Sequence, residues 1–534
     1  MLTKEVVLLL VMGVKPGHDG ALAVIEDRRL VLSLEAEKNS WGRHCDVTPM
    51  TFLEVAEYAG RPPDVIGLGG WRLAGGAGQK SVGSGYHGVK DPAQRPASFF
   101  GHPGTLVSSS HVRSHVMAAV GLAPAAEHSR QAVLVWEGIT GGFYLLDENF
   151  RVIRTVPVLT QPGARYAFLF AIADPTFPDE GSIPSLDDSG KLMALAAYGD
   201  PGDADEETSQ AIDQILKVDT IYPAPKDQFR AAPFYNTGVT SAAAKTAAAL
   251  LNVRLFSVFA DAAEQHLPAG VPLRISGGCG LNCDWNAMWR QSGQFSSVFV
   301  PPCPNDSGSA LGTAIDALQL MTGSPYIDWD VYSGLGFDHD TEPDPAVWLR
   351  RPAEPHAVAQ ALGNGHIIAW VQGRWEIGPR ALGARSILAE PFRERTRDRL
   401  NTIKKREDYR PIAPCCRIED AGSAFNESFA DPYMLYFRTV RSPELNAVTH
   451  ADGSARAQTV SRDSNPALHR LLTAFANRYG LGVLCNTSLN FKARGFINTM
   501  SELAEFCGTQ DLDGMVVGDA WYQRRRGPDA TEAR

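Results

Sequence analysis

Residues 6–35 read VVLLLVMGVKPGHDGALAVIEDRRLVLSLE, and the pattern of this stretch indicates the fold of the first half of the chain. The apolar run 6–14, the alternating run 21–26 and the run 30–35 each have the pattern of a strand. A glycine-containing turn, PGHDG, joins the first strand to the second, and EDRR joins the second to the third. The stretch therefore predicts three consecutive strands joined by tight turns.

The same pattern returns further along the chain. A strand over 132–136 is followed by the turn GITGG, a strand over 143–146 and a third strand over 152–158. Each copy places a polar residue just past its first strand, His18 in one and Glu137 in the other. A twofold repeat of this kind is typical of the duplicated nucleotide-binding lobe of actin-like ATPases, in which the phosphates lie between the two turns.

Length and composition limit the class of protein. A chain of 534 residues is too long for one ordinary domain, and 44% hydrophobic with 21% charged residues is the composition of a soluble globular enzyme. The net charge of -10 argues against a nucleic-acid binder that works by bulk positive charge. The run 6–14 is too short to cross a bilayer, so we expect no membrane span and a cytoplasmic protein. The eight cysteines show no repeated CxxC, which argues against a zinc cage.

The domain boundary is expected in the span 324–355. This span is rich in Pro, Asp and Gly and has little hydrophobic periodicity, which is the composition of a connection between domains. We therefore predict an α/β domain over 1–340 and an α+β domain over 341–534.

The second predicted domain carries a concentrated positive charge. From residue 371 to residue 410, nine Arg and two Lys stand against four Glu and two Asp. Arginine matches carboxylate or phosphate oxygens two at a time, so the cluster predicts a pocket for a small, highly charged anion; a solvated basic face is the alternative. The tripeptide 486–488 follows a predicted strand and suits phosphate oxygens or, alternatively, a helix cap. The residues expected to hold the anion and a nucleotide are Arg374, Arg380, Arg385, Ser386, Lys404, Arg406, Arg410, Asn486, Thr487 and Ser488.

Two histidines form a candidate metal site in the first domain. Serines 108–110 precede an apolar-periodic run and indicate a helix start, which places His111 and His115 one turn apart on one helix face. Such a pair binds a divalent metal if carboxylates converge on it, and Asp306 and Glu137 follow strands at suitable turns. This donor set suits Fe²⁺, Mn²⁺ or Zn²⁺, whereas a pair of ordinary surface histidines is the alternative.

Glycine turns provide candidate phosphate sites. The loops 277–280 and 305–308 each follow a predicted strand and precede a helix, where backbone N–H groups can bind an anion without any cation. Ordinary strand-to-helix turns are the alternative. His18 lies in a third glycine turn, beside Asp19, and a neutral imidazole there can take a proton from an attacking hydroxyl near pH 7. A turn histidine that bonds only its own backbone is the competing interpretation.

Eight motifs in order extend over most of the chain. Together they resemble the O-carbamoyltransferase family that contains the nodulation, cephem and tobramycin carbamoyltransferases. The motifs are PGHDGA (16–21), SSSHVRSH (108–115), GKLMALAAYG (190–199), SGGCGLNC (276–283), PPCPNDSGSALGTA (301–314), QGRWEIGPRALGARSIL (372–388), NTIKKREDYRPIAP (401–414) and LCNTSLN (484–490). Within the family, the chain looks most like the branch that acts on 3'-hydroxymethylcephems in cephamycin-type pathways, with aminoglycoside or macrolide acceptors as alternatives.

The resemblance implies two active sites. The first domain is expected to have the actin-like fold of the tRNA threonylcarbamoylation transferase, and the second the fold of the threonylcarbamoyl-adenylate synthase. The second would make carbamoyl adenylate from carbamoyl phosphate and ATP, with Mg²⁺ beside the nucleotide. The first, with a ferrous ion, would move the carbamoyl group to an acceptor hydroxyl. The implied partners are small molecules, without nucleic acid or membrane, and a homodimer is left open.

The family's functional residues can be carried over to this sequence by motif. The metal ligands become His111, His115, Asp306 and, where relatives have the shorter aspartate, Glu137. For catalysis we expect His18, Asp19, Arg380 and Lys404. The expected contacts to carbamoyl adenylate in the first domain are Lys191, Gly277, Gly278, Gly280, Asn282, Asn305, Asp306 and Glu137. Contacts to nucleotide or acceptor are expected from the stretch EKNSWGR (37–43), at Lys38 and Arg43.

An alternative from another class is an actin-like kinase or ATPase. It would use the lobe repeat, act on the γ-phosphate of ATP and leave ADP. It does not explain the Arg cluster after residue 371. The products separate the two functions, because carbamoyl adenylate formation yields pyrophosphate and finally AMP.

Overall fold

The computed structural model describes residues 8–39, 42–72, 81–125, 129–492 and 494–525. The chain forms two compact units, and neither is continuous in sequence. The first unit contains the described residues of Met1–Val31 and Phe52–Trp329. The second contains those of Leu32–Thr51 and Asp330–Arg534. Residues 6 and 7 of the predicted first strand lie outside the described part of the chain.

These units differ from the sequence-based limits of 1–340 and 341–534. Leu32–Thr51 belongs to the second unit because hydrogen bonds tie it there. Ser33 N donates to Ser333 O at 2.8 Å, and Gly378 N donates to Glu35 Oε1 at 2.7 Å. Local periodicity carries no information about such long-range contacts. The compact units describe contacts within the structure, and the domain limits 1–340 and 341–534 stay a prediction.

The secondary structure alternates strands and helices along both units. The strands are β1 (Leu10–Lys15), β2 (Ala21–Glu26), β3 (Arg29–Glu35), β4 (Val65–Gly69), β5 (Trp71–Arg72), β6 (Ser81–Val82), β7 (Ala93–Phe99), β8 (His102–Ser109), β9 (Gln131–Trp136), β10 (Gly141–Leu146), β11 (Val152–Pro157), β12 (Leu273–Ser276), β13 (Val298–Phe299), β14 (Trp348–Pro352), β15 (Ile368–Val371), β16 (Arg385–Ala389), β17 (Ala413–Arg417), β18 (Arg438–Thr439), β19 (Ser454–Ala455), β20 (Gln458–Val460), β21 (Val483–Ser488), β22 (Gly514–Val517) and β23 (Ala520–Arg524). The helices are α1 (Ala36–Asn39), α2 (Pro49–Ala59), α3 (His111–Gly121), α4 (Pro162–Ala173), α5 (Asp187–Ala196), α6 (Glu206–Lys217), α7 (Ala242–His266), α8 (Cys283–Gln291), α9 (Ser309–Thr322), α10 (Pro355–Gly363), α11 (Glu394–Ile403), α12 (Ala421–Ala424), α13 (Pro466–Tyr479) and α14 (Met500–Thr509).

Two sheets that share the same arrangement over five strands show the predicted duplication, and β7 is an additional sixth strand of the first sheet. The first has the order β3-β2-β1-β4-β8-β7, and the second has the order β11-β10-β9-β12-β13. In each, the first strand pairs antiparallel with the second and parallel with the fourth, which pairs parallel with the fifth. In the first sheet the fifth position is taken by β8, because β5, β6 and β7 are inserted before it. The actin-like duplicated lobe that the sequence repeat predicted is confirmed by this topology.

The central strands of the two lobes are completely buried. Every residue of β1 and β9 is shielded from solvent, as their continuous apolar runs predict for strands covered on both faces. Helix α9 lies directly on β1, because Gly13 has no side chain: a Cβ there would lie 2.2 Å from Ala310 O. This close approach fixes the start of α9, and the loop before it, against the end of the first strand.

The second unit is built around one mixed sheet. Its strand order is β14-β23-β22-β15-β16-β21-β17-β20. One group of buried apolar side chains packs α10 and α13 on the sheet, through residues such as Leu362 and Phe475. A second group includes residues of α11, α12 and α14, such as Leu400 and Phe506. This arrangement confirms the α+β class expected for the second half of the chain.

Helix α7 is the one described helix that is long and apolar enough to cross a membrane by length and composition. Of its most apolar window, 56% is buried inside the protein. Its buried residues include Leu251 and Phe259, and the ring of Phe259 contacts Trp136 of β9 at a centroid distance of 5.2 Å. These contacts are those of a core helix of the first unit.

Candidate metal centre and anion site

Helix α3 presents two buried histidines on one face. Ser110 caps the helix, its Oγ accepting from Arg113 N at 3.1 Å, as the serine run predicted. His111 and His115 follow one turn apart, both fully buried, with ring centroids 4.7 Å apart. The alternative of two surface histidines is therefore wrong.

Two carboxylates converge on these rings from other elements. Glu137 follows β9, and Asp306 lies in the turn before α9. Glu137 Oε2 lies 3.1 Å from His111 Nε2 and 3.4 Å from His115 Nε2. Asp306 Oδ1 lies 3.5 Å from His111 Nε2 and 3.4 Å from His115 Nε2. The four residues that the sequence analysis grouped as a metal site are thus brought together.

The donor set fits a divalent metal. The four ligand atoms all lie within 4.8 Å of one another. Separations of 3.1–3.5 Å between neighbouring donors are those of ligands about 2.1 Å from a common ion. Two imidazoles and two carboxylates suit a borderline metal such as Fe²⁺, Mn²⁺ or Zn²⁺.

Neighbouring side chains fix the orientation of the ligands. His115 Nδ1 lies 2.9 Å from Ser276 Oγ, and that hydroxyl donates to Pro304 O at 3.3 Å. Ser276 therefore accepts the Nδ1 proton, which leaves Nε2 of a neutral ring as the ligand atom. Tyr86 donates to Glu137 Oε1 at 2.7 Å, so that Oε2 faces the histidines. Sequence reasoning missed both partners, because Ser276 at the start of the motif SGGCGLNC reads as an ordinary strand residue and Tyr86 lies outside the eight motifs.

The cluster is strongly polarised without an ion. Burial alone would lower the pKa of His115, but hydrogen bonds to Asp306 and Glu137 raise it to about 9. Burial alone would raise the pKa of Glu137, but the charges of and hydrogen bonds with His111 and His115 lower it to about 2. The pKa of Asp306 is held well below its usual range by His111 and Lys15, against the effect of burial. In the metal-free site His115 therefore carries a proton near neutral pH, and a metal ion must displace this proton to bind.

The turn that carries His18 reaches the loop of Asp306. Asn305 Nδ2 donates to Asp19 Oδ2 at 3.2 Å, and Lys15 Nζ donates to His18 O at 2.5 Å. The His18 side chain is 44% exposed, with Nδ1 3.9 Å from Asp19 Oδ2. An accessible imidazole beside a buried carboxylate fits the predicted base. Its role is not tested by these contacts and stays a prediction.

The two glycine loops of the first unit meet each other. Gly277 N donates to Pro304 O at 2.6 Å, immediately before the loop 305–308. Gly277 has a φ of 94°, and a Cβ there would lie 2.2 Å from Trp136 O, so only glycine suits this position. The space beside Gly278 is open, with nothing within 4 Å of a Cβ built there. A phosphate could therefore approach this loop closely.

Three of the predicted adenylate contacts have clear partners in the protein. Asn282 caps α8, its Oδ1 accepting from Asp284 N at 3.1 Å and Trp285 N at 3.3 Å. Asn305 bonds Asp19, as described, and Lys191 donates to Asp188 Oδ1 at 2.8 Å. Gly280 lies against Pro304. Their proposed contacts to a nucleotide stay predictions.

The second unit gathers several cations of the basic cluster around the end of β21. Lys404 Nζ donates to Ser488 O at 2.6 Å and to Asn490 Oδ1 at 2.5 Å. Burial and the charges of Arg406 and Arg410 lower the pKa of Lys404 to about 7. Burial, Arg410 and Arg456 lower the pKa of Arg406 to about 9. Burial contributes most to both lowered pKa values, and the neighbouring cations add to it; a bound anion would offset both effects.

Arg456 is a member of this group that sequence reasoning missed. It lies between β19 and β20, outside the eight motifs, and only its charge could have drawn attention to it. Arg406 Nη2 and Arg456 Nε are buried and have no hydrogen-bond partner among the described residues. Buried donors of this kind require a partner, and a phosphate would supply one.

Arg385 is the most buried arginine of the predicted set. It is 0% exposed, and its Nη1 donates to the carbonyls of Gln372 and Gly373 at 3.3 and 3.2 Å. Its Nε and Nη2 have no partner among the described residues. Burial lowers its pKa to about 10, against the charge of Glu376. The Nε–H and Nη2–H groups of Arg385 are therefore available to donate to a bound anion.

Other predicted residues of the second unit take part in the scaffold. Arg374 donates to Gly334 O at 2.6 Å and Ser333 O at 2.8 Å, and Ser386 Oγ accepts from Gly383 N at 3.1 Å. Asn486 Nδ2 donates to Ala381 O at 3.1 Å, while Thr487 pairs with Ile387 in the sheet. Arg380 is half-buried, and Arg410 Nη1 lies 3.8 Å from Glu407.

The two candidate acceptor contacts differ in exposure. Lys38 is buried and donates to Glu35 Oε1 at 2.9 Å. The Arg43 side chain is 44% exposed and lies 3.6 Å from Glu37 Oε1. Ser40 and Trp41 of the same stretch lie outside the described residues. A contact of Lys38 or Arg43 with nucleotide or acceptor stays a prediction.

Comparisons with known proteins match both halves of the chain. The family model for the carbamoyltransferase N-terminus matches residues 102–315, and that for the carbamoyltransferase C-terminus matches residues 359–524. The chain is 58% identical over 520 residues to 3'-hydroxymethylcephem-O-carbamoyltransferase of Streptomyces clavuligerus, covering 97% of this chain and 100% of that protein. It is 57% identical to the protein of the same name from Amycolatopsis lactamdurans, with the same coverage.

More distant similarity extends to a nodulation protein and to solved structures. Nodulation protein U of Sinorhizobium fredii is 33% identical over 554 residues, covering 95% of this chain and 98% of that protein. Among solved structures, the activator of 2-hydroxyisocaproyl-CoA dehydratase from Clostridium difficile aligns with a TM-score of 0.33 and 12% identity, covering 57% of this chain and 93% of that one. At such a TM-score, the sheet order of the chain itself is what establishes the duplicated lobe.

Proposed function

Because the chain belongs to the carbamoyltransferase family, we propose that it is an ATP-dependent O-carbamoyltransferase acting on a 3'-hydroxymethylcephem. Family membership makes it an enzyme of the carbamoyltransferase class. The observation that carries the acceptor is the 58% identity, over 97% of the chain, to a protein named for that acceptor. The proposed role is therefore a step of antibiotic biosynthesis.

The second unit would form carbamoyl adenylate. Carbamoyl phosphate is a small dianion, and the crowded cations Lys404, Arg406 and Arg456 provide the countercharge. Hydrolysis releases phosphate and leaves carbamate, whose oxygen attacks the α-phosphorus of ATP and expels pyrophosphate. A closed cationic site holds the unstable carbamate beside the nucleotide. Fixed donors such as Arg385 would stabilise the charged oxygens of the transition state, with Mg²⁺ accompanying ATP.

The first unit would transfer the carbamoyl group. The open backbone at Gly278 and the adjoining loop of Asn305 would receive the phosphate of the adenylate. His18 would take the proton of the acceptor hydroxyl as its oxygen attacks the carbamoyl carbon. The bond from that carbon to the phosphate oxygen then breaks, and AMP leaves.

The metal centre would hold a divalent ion between His111, His115, Glu137 and Asp306. Fe²⁺ is the ion that the family resemblance implies, and Mn²⁺ and Zn²⁺ suit the same donors. When bound, it supplies electrophilic polarisation of a phosphate oxygen. Glu137 is one methylene longer than the aspartate expected there, and the hydrogen bond from Tyr86 keeps its Oε2 directed at the histidines.

Product analysis tests the proposal. Mass spectrometry would follow incubation of the protein with carbamoyl phosphate, ATP, Mg²⁺, Fe²⁺ and hydroxylated antibiotics. We expect AMP, pyrophosphate, the phosphate released from carbamoyl phosphate, and a product heavier by one carbamoyl group from the 3'-hydroxymethylcephem. If only an aminoglycoside or a macrolide were carbamoylated, that compound would be the acceptor and the cephem would not. ADP in place of AMP and pyrophosphate would instead show a kinase or ATPase. The cytoplasmic location and a homodimer stay predictions.

A further inference from the structure

Lys15 is a completely buried lysine at the end of β1. Its side chain is 0% exposed, and its Nζ lies 3.5 Å from Asp306 Oδ2. Nζ also donates to His18 O and lies 3.6 Å from the centroid of the Trp71 ring. A buried ammonium is costly unless its neighbours compensate for lost water, so this position calls for an explanation. Neither the metal ligands nor the proposed proton transfer uses it.

The two oxygens of Asp306 are divided between Lys15 and the histidines. Oδ1 lies 3.5 Å from His111 Nε2 and 3.4 Å from His115 Nε2, whereas Oδ2 lies beside the ammonium. A cation on one oxygen restricts rotation of the carboxylate and keeps the other directed at the imidazoles. Partners that orient a ligand in this way strongly affect metal affinity.

Trp71 connects the same ammonium to the other side of the site. The indole ring meets His111 edge-on at a centroid distance of 5.3 Å, and it lies tilted against Tyr86 at a centroid distance of 5.7 Å. It also packs on the His18 turn, because a Cβ at Gly17 would lie 2.2 Å from Trp71 Nε1. Lys15 therefore contacts the turn, the aromatic ring and the ligand carboxylate at once.

From these contacts we propose that Lys15 is a positioning residue that holds Asp306 and the His18 turn in one fixed arrangement. It acts through Asp306, and it does not itself touch the metal. The inference rests on the metal centre of the proposed function. Its test needs no substrate, so its failure is distinguishable from failure of the carbamoyl-transfer proposal.

The test is binding of Mn²⁺ alone, measured by electron paramagnetic resonance on metal-free protein. Lys15→Met should weaken Mn²⁺ binding by about 10–100-fold, the usual effect of losing a partner that orients a ligand. Lys226→Met is the matched control. Lys226 is also 0% exposed, donates to the carbonyls of Asp174 and Phe177, and lies 5.6 Å from the Tyr235 ring centroid. The Lys226→Met substitution should lower the melting temperature and leave the Mn²⁺ affinity unchanged.

Two results would overturn the inference. Parent-like or tighter Mn²⁺ binding by Lys15→Met would mean that the ammonium does not orient Asp306. An equal loss of affinity in Lys226→Met would mean that any buried-lysine change damages the unit. If Lys15→Met does not fold, Trp71→Leu keeps Lys15 and the four metal-site residues and removes the ring that Lys15 Nζ contacts. This variant should weaken Mn²⁺ binding several-fold, and unchanged affinity would also refute the positioning role.

Discussion

Arg113 and Asp316 form a buried, bidentate ion pair. Arg113 Nε donates to Asp316 Oδ2 at 2.7 Å, and Nη2 donates to Oδ1 at 2.9 Å. Ser109 Oγ adds a third donor to Oδ2 at 2.6 Å. Arg113 lies between the two metal-site histidines on α3, and Asp316 lies on α9, ten residues after Asp306. The pair therefore joins the helix of the histidines to the helix that follows the carboxylate loop.

Breaking this pair should destabilise the first unit. Arg113→Met or Asp316→Leu leaves an uncompensated buried charge, and we expect each to cost about 3–5 kcal/mol of unfolding free energy. The double variant removes both charges and should lose much less than the sum of the two changes. Urea unfolding of the metal-free protein, followed by tryptophan fluorescence, would measure this. Additive losses would show that the two side chains act independently.

Removal of the His18 imidazole should impair carbamoyl transfer, the second half-reaction, and leave carbamoyl adenylate formation, the first half-reaction, intact. His18→Asn should slow carbamoyl transfer by roughly 10²–10⁴-fold, the contribution of a general base. Pyrophosphate release without acceptor should continue at the parent rate. His102→Asn, at an exposed histidine of β8, is the control. Equal loss of both half-reactions in His18→Asn would remove His18 from the role of base.

Lys404 should be required only for the first half-reaction. Lys404→Ala removes a cation that contacts Ser488 and Asn490, and Arg380→Ala removes a second cation of the basic stretch 371–410. We expect both to abolish pyrophosphate release and to carbamoylate the acceptor when carbamoyl adenylate is supplied. Lys405→Ala, at the exposed neighbouring lysine, should behave like the parent. Without rescue by the supplied adenylate, these residues cannot belong to the adenylate-forming site alone.

Metal binding should strengthen as pH rises. Because the pKa of His115 is raised to about 9, a metal must displace a proton below that pH. For one displaced proton, Mn²⁺ affinity should rise about tenfold per pH unit between pH 7 and pH 9 and then level off. Titration of metal-free protein with Mn²⁺ at several pH values would measure this slope. A flat profile would mean that the imidazole is already neutral at pH 7.

The same groups predict the stability of the metal-free protein. The raised pKa of His115 contributes stability below its unfolded value of about 6.5, and this is lost as pH rises through about 9. The depressed pKa of Glu137 contributes stability above about 4.5, and this is lost as pH falls towards about 2. The contribution of this coupled cluster should therefore be greatest between about pH 4.5 and 6.5. Melting temperatures across this range, compared with those of Glu137→Gln, would test it.

The duplicated lobe could be predicted because its signal is local. The strands β1 and β9 are buried along their whole length, so their apolar runs and following glycine turns stand out in the sequence. The meeting of Glu137 and Asp306 could be anticipated for a similar reason. Both residues follow strands of one sheet, β9 and β13, whose carboxyl ends lie at the same edge.

The remaining features depend on contacts between distant residues. Ser276 and Tyr86 orient metal ligands, yet each looks like an ordinary strand or loop residue in sequence. Asn282 shows the opposite difficulty, because the same side chain suits a helix cap and a phosphate ligand, and the structure shows the cap. Arg456 joins the cation group only through folding of the segment between β19 and β20.

The discontinuous division of the chain has a consequence for its synthesis. All residues of the first unit precede Asp330, so the ribosome has read their codons before it reaches the 205 residues of Asp330–Arg534. Leu32–Thr51 emerges early but belongs with Asp330–Arg534, which emerges last. This short segment is therefore synthesised long before the residues that it contacts. A nascent chain halted near residue 330 would contain the segment but lack its hydrogen-bonding partners at Ser333 and Gly378.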